Sequence, residues 1–386
     1  MKFESIWIGT TPETHFPEAL GKIEVDVVII GGGIAGLNAG YFLKKQGLKV
    51  AILETGKIAM GTSGNTTAKV TSLHELKYAY LTKTFGKNSA QIYADANQWA
   101  ILELENIIKK EKISCDFYHA PSYTYTLDKD LKKIKEEVEI SLALNLPASF
   151  VTSIPKISLK ISGAVKFDNQ AYFHPRKYLL SLADLINSEG SYIFENSRVL
   201  DIKEGKSFSE VKTSKSTIKS KFVVVATNFP ILNPNKIFSK LFTTRSFVVA
   251  ARSHKIAPKV MFIGTKSFDL SFRPHQDSKK EWLILGQRHD EEGKDGDINQ
   301  NFKNLAKMGE ENFGIKSIDF KWGAADTMSP DKIALIGKIS SKILVTTGFS
   351  TWGMTTSFIS AKILTDLIMG KKNDWQDLYD PRRKGR

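Results

Sequence analysis

Residues 24–54, EVDVVIIGGGIAGLNAGYFLKKQGLKVAILE, restrict the fold more than any other part of the chain. Val25–Ile30 is short, mostly apolar and rich in β-branched residues, the pattern of a buried parallel strand. Gly31, Gly33 and Gly36 form GxGxxG, and Gly40 extends the series. The first glycine permits the tight turn out of the strand. The second has no side chain to block a pyrophosphate, and the third lets the helix lie close against the sheet. Ile34–Gln46 reads as that helix, with Gly47 as its stop. Lys49–Leu53 is the next strand, and Glu54 lies at its carboxyl end. A carboxylate there accepts both hydroxyls of an adenosine ribose and repels a 2′-phosphate, which disfavours NADP. A glycine turn that binds nothing does not account for four clustered glycines followed by an acid after the next strand. The stretch predicts a dinucleotide site, and FAD and NAD share its fingerprint.

The rest of the composition narrows the chemistry. A chain of 386 residues has room for two or three domains. No apolar run approaches the roughly eighteen residues that span a bilayer. Met1–Pro17 carries no apolar core of a signal peptide. The expectation is a cytoplasmic protein with no membrane partner. Cys115 is the single cysteine, which excludes an intrachain disulfide, a CxxC pair and an iron–sulfur cluster held by this chain's cysteines. The seven histidines show no HxxH or HxxxH spacing, so no metal site is expected. Redox chemistry therefore falls to an organic cofactor. The net charge of +14 is mostly lysine interleaved with glutamate, as in Lys109–Lys112 and Lys132–Glu139, the pattern of solvated helix faces. Only Arg382–Arg386 is a compact basic cluster. Nucleic acid is not the expected partner; an acidic electron-acceptor protein stays open.

Along the chain, Met60–Lys69 (MGTSGNTTAK) is a loop of small and hydroxylated residues. Ser89–Lys110 has helical periodicity, Phe117–Leu127 reads as a strand, and Asp128 is an N-cap candidate for a helix to about Asn145. Pro147 and Pro155 bracket an extended piece. Ala164–Phe167 is a strand, and Pro175 opens a helix to about Glu189. Ser191–Phe194, Val199–Lys203, Ser209–Thr213 and Ser216–Ile218 read as short strands, and Phe222–Ala226 as a second buried parallel strand. Phe247–Arg252, Val260–Gly264, Asp269–Arg273 and Trp282–Gln287 have hairpin spacing, covered by a helix Asn299–Asn312. The polar loop His289–Asp297 lacks an EF-hand ligand series.

The C-terminal region carries the second strong signal. A strand Ile343–Thr346, a glycine-punctuated turn Thr347–Met354 and a helix Thr355–Met369 aim free N–H groups and a positive helix end at one point. A flavin needs such a unit, because its reduction builds negative charge at the N1–C2=O edge.

With both ends read, the chain resembles the D-amino-acid oxidase and sarcosine oxidase superfamily of FAD-dependent oxidoreductases. The resemblance rests on VDVVIIGGGIAGL, NTTAKVTSLH, FHPRKYL, FVVVATN, DTMSPDKIALIG and TGFSTWGMTTS. Within it, these pieces look most like the branch often fused to a C-terminal Rieske domain, although Rieske ligands are absent here. The resemblance implies an α/β fold: a discontinuous, Rossmann-like FAD-binding domain (segments 1–80, 163–231 and 326–386) and an α+β substrate domain on a largely antiparallel sheet (segments 81–162 and 232–325). It implies that Gly31, Gly33 and Gly36, with Ile34 and Ala35, hold the pyrophosphate, and that Glu54 and Thr55 serve the ribose. Ser63, Thr66, Thr67 and Ala68 approach the pyrophosphate and ring, Val199 meets adenine, and Ala226 and Thr227 pass near the cofactor. Gly348, Phe349, Gly353 and Met354 line the pyrimidine, and the Thr351–Thr355 helix start faces the reduced ring. His74 is expected to be non-covalent.

The implied activity is oxidation of a C–N bond in a small-molecule amine or N-substituted amino acid, by hydride transfer to flavin N5. Trp352, Arg273 and Tyr172 are the substrate-side candidates. Two other classes remain: a tRNA-modifying flavoenzyme, and an electron-transfer module serving a separate iron–sulfur protein. In the sarcosine oxidase branch a lysine for the substrate carboxylate follows the glycine-phenylalanine of the C-terminal turn, matched here by Gly353-Met354. Thr355 occupies that position here, which implies a substrate larger than sarcosine, glycine or D-alanine unless Arg273 supplies the charge.

Overall fold

The computed structural model describes residues 1–231, 238–239, 241–254, 257–265, 270–277, 280–289 and 297–383. Most of the loop His289–Asp297 and the end of the cluster Arg382–Arg386 lie outside them.

Two sheets organise the chain. In the first, five strands run parallel in the order Ile343–Thr347, Ser216–Val225, Gly21–Ile30, Val50–Leu53 and Tyr192–Phe194. Leu335–Lys338 adds an antiparallel edge, and the hairpin Asp201–Glu204/Ser209–Lys212 extends from Ser216–Val225. Val27–Ile30 and Val50–Leu53 are buried throughout, because helices cover one face and loops and the hairpin the other. Helices Ile34–Lys45 and Gly353–Ile368 pack together on that sheet. Asn38 Nδ2 donates to Ser357 Oγ across them at 3.0 Å.

The second sheet has nine strands among the described residues. Its order is Ile315–Met328, Phe242–Ser253, Glu281–His289, Leu270–Gln276, Met261–Gly264, Tyr118–Thr126, Gly163–Tyr172 and Lys69–Val70, with Ala148–Val151 beside Gly163–Tyr172. Every pairing is antiparallel except that of Met261–Gly264 with Tyr118–Thr126. Helix Ile298–Phe313 covers one face through Phe302, Leu305 and Phe313, packed with Phe247, Phe262 and Phe272. Asp297 caps its start, its side chain accepting from Asn299 N, and Gly314 closes it in the left-handed region.

Several sequence expectations change in detail. Ser216–Ile218 and Phe222–Ala226 are one strand, Ser216–Val225, because continuous pairing with Gly21–Ile30 carries the polar residues between them. The helical region starts earlier and is broken: Lys77–Phe85 and Lys87–Lys110 meet at Gly86, whose φ of 87° ends the first helix. Asp128 is not the N-cap. The helix runs Lys132–Ala143, and Asp130 accepts from Lys132 N at 3.0 Å. The fourteen-residue strand Ile315–Met328 was not expected; its centre alternates, with Phe320, Trp322 and Ala324 buried, and pairing with Phe242–Ser253 along its length holds the rest. Gly163–Tyr172, grouped with the cofactor-binding segments on sequence, pairs within the second sheet.

Candidate active site

Strand Gly21–Ile30 ends at Gly31, whose φ of 113° turns the chain. A Cβ on Gly31 would stand 2.4 Å from the Ala226 carbonyl oxygen, and one on Gly36 would stand 1.9 Å from that of Gly31. Both glycines are thus required for close backbone approach. Helix Ile34–Lys45 begins at Gly33 without a cap from its own side chain; Ser63 Oγ accepts from Ile34 N at 2.9 Å. The Glu54 carboxylate accepts from Gly32 N (2.8 Å) and Gly56 N (2.9 Å). This fixes its direction and leaves further lone pairs for a ligand hydroxyl. These groups border a cavity of about 350 Å³.

The far end of that cavity is the turn after Ile343–Thr347. Gly348, Ser350 and Thr351 have φ of 66°, 51° and 73°. A β-branched residue in the left-handed region is strained. The turn is held there by Ser350 N donating to Thr327 O (3.1 Å), Ser329 N to Ser350 Oγ (3.3 Å) and Trp352 N to Phe349 O (3.0 Å). The result points the N-terminus of helix Gly353–Ile368, with its partial positive charge, into the cavity.

A smaller cavity of about 80 Å³ shares Thr62, Thr66, Asp326, Thr351 and Met354 with the first. Val248, Ile263, Ser271, Gly286 and Ala324 of the second sheet line its other side. Trp352 borders both this cavity and a wide one of about 920 Å³ that reaches Tyr80, Asp128 and Lys332. The Trp352 ring stacks on His74 at 4.3 Å. His74 is buried, its Nδ1 2.6 Å from Tyr93 Oη and its Nε2 2.7 Å from Thr71 O, so both ring nitrogens are engaged. Burial holds its pKa well below the ordinary value, so the ring is neutral.

Most sequence-derived candidates meet here. Gly31, Gly33, Ile34, Ala35, Glu54, Thr55, Ser63, Thr66, Ala226, Thr227, Phe349, Thr351, Gly353 and Met354 line the first cavity, and Thr67 and Trp352 the second. Gly36 and Gly348 shape the backbone behind the wall. Val199 packs on the core of the first sheet and lines neither cavity. Ala68 is buried at φ 55°, and its carbonyl accepts from Arg273. Thr355 does not line either cavity; its hydroxyl donates to Asn97 Oδ1 at 2.7 Å.

Arg273 and Tyr172 are not where a substrate-side reading needs them. Arg273 is fully buried. Its Nη1 donates to Ala68 O (2.8 Å) and Phe173 O (2.9 Å), and its guanidinium lies between the Trp7 ring (4.9 Å) and the Tyr172 ring (4.8 Å). Arg273 shares a strand face with Ser271, which lines the small cavity, but lies two residues further along, and the aromatic pair there accommodates the cation. Arg273 thereby ties down the loop at Ala68, together with Trp7 Nε1 donating to Thr66 O (2.6 Å) and Trp322 Nε1 to Asn65 O (2.8 Å).

Sequence reasoning missed Thr62, Asn228, Asp326 and Lys69. Lys69 is the notable one: it is buried and borders the small cavity. Desolvation, then the neighbouring Arg273, lowers its pKa to about 7. The available signal was a lysine in a loop otherwise made of small and hydroxylated residues, next to a β-branched run.

The model of the family described as FAD dependent oxidoreductase matches residues 26–367. The chain belongs to this family. It is an FAD-dependent oxidoreductase with FAD as its cofactor. A Bacillus subtilis (strain 168) protein named "Putative Rieske 2Fe-2S iron-sulfur protein YhfW" is 32% identical over 385 residues, covering 98% of this chain and 75% of that protein. Gamma-glutamylputrescine oxidoreductase of Escherichia coli (strain K12) is 21% identical, over 90% of this chain and 84% of that protein. Glycine oxidase from Geobacillus kaustophilus shares the fold, with a TM-score of 0.79 and 15% identity over 94% of this chain and all of that one. No helix among the described residues is long and apolar enough to cross a membrane, and they hold no cluster of metal-binding side chains.

Proposed function

We propose that this oxidoreductase oxidises a C–N bond of an amine or amino acid. The observation that carries the reading is the adjacency of the two cavities: one lined by two helix N-termini, sharing five lining residues with a small chamber under the second sheet. Bound here, FAD would supply the acceptor for a hydride from the carbon beside nitrogen. The residues fit that cofactor. Glu54, held by two backbone N–H groups, has lone pairs left for the ribose hydroxyls. The start of helix Ile34–Lys45 presents N–H donors and a positive end to the pyrophosphate. The start of helix Gly353–Ile368 favours negative charge on the ring. Met354, Thr351 and Trp352 close the small chamber from below and limit water at the reacting carbon. In this division of labour Gly163–Tyr172 belongs with the substrate-side sheet.

The likeness to gamma-glutamylputrescine oxidoreductase supports an amine or amino acid as substrate. The test is anaerobic bleaching of the purified yellow protein by a panel of amines and amino acids. Saturable reduction by at least one member is expected; a flavin reduced only by NADH or by 2-hydroxy acids would overturn the reading. A second proposal concerns the acceptor. The name of the 32% identical relative supports an iron–sulfur protein as the electron sink. Reoxidation of the reduced protein should then be faster with a [2Fe–2S] ferredoxin than with oxygen.

A further inference from the structure

Lys69 is a buried lysine without a counter-charge among the described residues. It borders the small chamber, and among the described residues no carboxylate lies within ion-pair distance of it. Its Nζ donates to Ser271 Oγ and reaches Thr67 Oγ1 at 3.4 Å. Both hydroxyls also border the chamber. Behind it Arg273 adds a second buried cation, one of whose terminal nitrogens, Nη2, has no hydrogen-bond partner among the described residues. A buried ammonium without an anion is costly. Selection for stability alone would replace it by methionine or leucine.

We infer that Lys69, with the hydroxyls of Ser271 and Thr67, is an anion anchor in the roof of the chamber, and that it holds the carboxylate of an amino-acid substrate. This inference rests on the C–N oxidation proposed above and names the substrate class for that same site. It reverses the expectation drawn from Thr355. The cation comes from the edge strand Lys69–Val70 of the second sheet, not from the C-terminal turn or from Arg273. A chamber of about 80 Å³ places the anchored carboxylate only a few bonds from the reacting carbon. The geometry thus favours an amine whose carboxylate is close to the nitrogen, over a long polyamine.

The charged groups that meet Lys69 are Arg273 from strand Leu270–Gln276 and, across the chamber, Asp326 from strand Ile315–Met328. With the amine titrating near 7, the anchor carries its proton below that pH and loses it above. Anion affinity therefore falls as pH rises through about 7, approaching tenfold per unit.

The test uses the FAD-loaded full chain, oxidised, titrated with sodium acetate and with acetamide as the uncharged control, read by the flavin absorbance spectrum. Wild type should show a saturable shift with acetate that weakens above pH 7, and none with acetamide. Lys69→Met should bind acetate at least tenfold more weakly, with unchanged flavin content and a melting temperature equal to or above wild type. Lys69→Arg should keep part of the acetate response. Equal acetate affinity in wild type and Lys69→Met overturns the inference. So does a Lys69→Met variant that loses several degrees of melting temperature which Lys69→Arg restores without restoring acetate binding; the lysine would then be structural. Acetate binding needs no turnover. A wild type that binds acetate through Lys69 but is reduced by no amine would overturn the proposed reaction and not the anchor.

Discussion

Replacing Arg273 by alanine separates a structural cation from a substrate-binding one. The guanidinium donates to two distant buried carbonyls, Ala68 O and Phe173 O, and to the adjacent Pro274 O, and lies against two aromatic faces. Each orphaned carbonyl costs about 1–3 kcal/mol, and the cation–π contacts contribute about 2 kcal/mol. Relief of desolvation, which pushes the Arg273 pKa down to about 9, offsets part of this. The net loss should be about 3–5 kcal/mol, the range for breaking a buried charged arrangement. For 386 residues the unfolding entropy is near 0.8 kcal/mol per kelvin, so the melting temperature of the FAD-loaded protein should fall by about 4–6 °C. Arg273→Lys should recover little, because one ammonium cannot span both carbonyls and stack between the rings. Thermal unfolding followed by flavin fluorescence and circular dichroism measures the shift. Stopped-flow reduction at a temperature well below the transition measures the site. The reasoning is refuted if Arg273→Ala melts within a degree of wild type yet loses substrate-driven reduction.

Three further outcomes follow from the geometry. Glu54→Gln should weaken FAD retention by about 1.5–3 kcal/mol, through loss of a charged acceptor for hydroxyls and for Gly32 N and Gly56 N; equal stripping of both proteins by dialysis would remove Glu54 from the ribose. Thr351→Gly relieves a β-branched residue at φ 73° and should raise stability by about 1 kcal/mol in urea melts, whereas a lower midpoint would mean that the threonine side chain holds the turn. Acid precipitation should release the flavin into the supernatant, since both His74 ring nitrogens are engaged; colour retained in the pellet would contradict this.

What the sequence determined by itself was set by local rules. The turn at Gly31, the helix after it and the acid at Glu54 follow from backbone sterics and the period of one helix, and they lie within thirty-one residues of each other in the chain. The C-terminal strand, turn and helix were legible for the same reason. The wall of the first cavity could therefore be named, from Gly33 to Met354, before any coordinates. What tertiary structure decided was the direction of individual side chains across long-range contacts. Arg273 sits on a readable strand, yet alternation alone leaves two faces open; Trp7, more than 260 residues earlier, together with Tyr172, selects the one that takes the guanidinium. Ile315–Met328 alternates only at its centre, Ile318 to Ala324, and it is pairing with Phe242–Ser253 that extends the strand to both ends. Lys69 looks like one more loop lysine until the second sheet closes over it. Burial by residues some two hundred positions away, Ser271 among them, converts it from a solvated charge into an uncompensated one, and that is a property no local stretch of sequence contains.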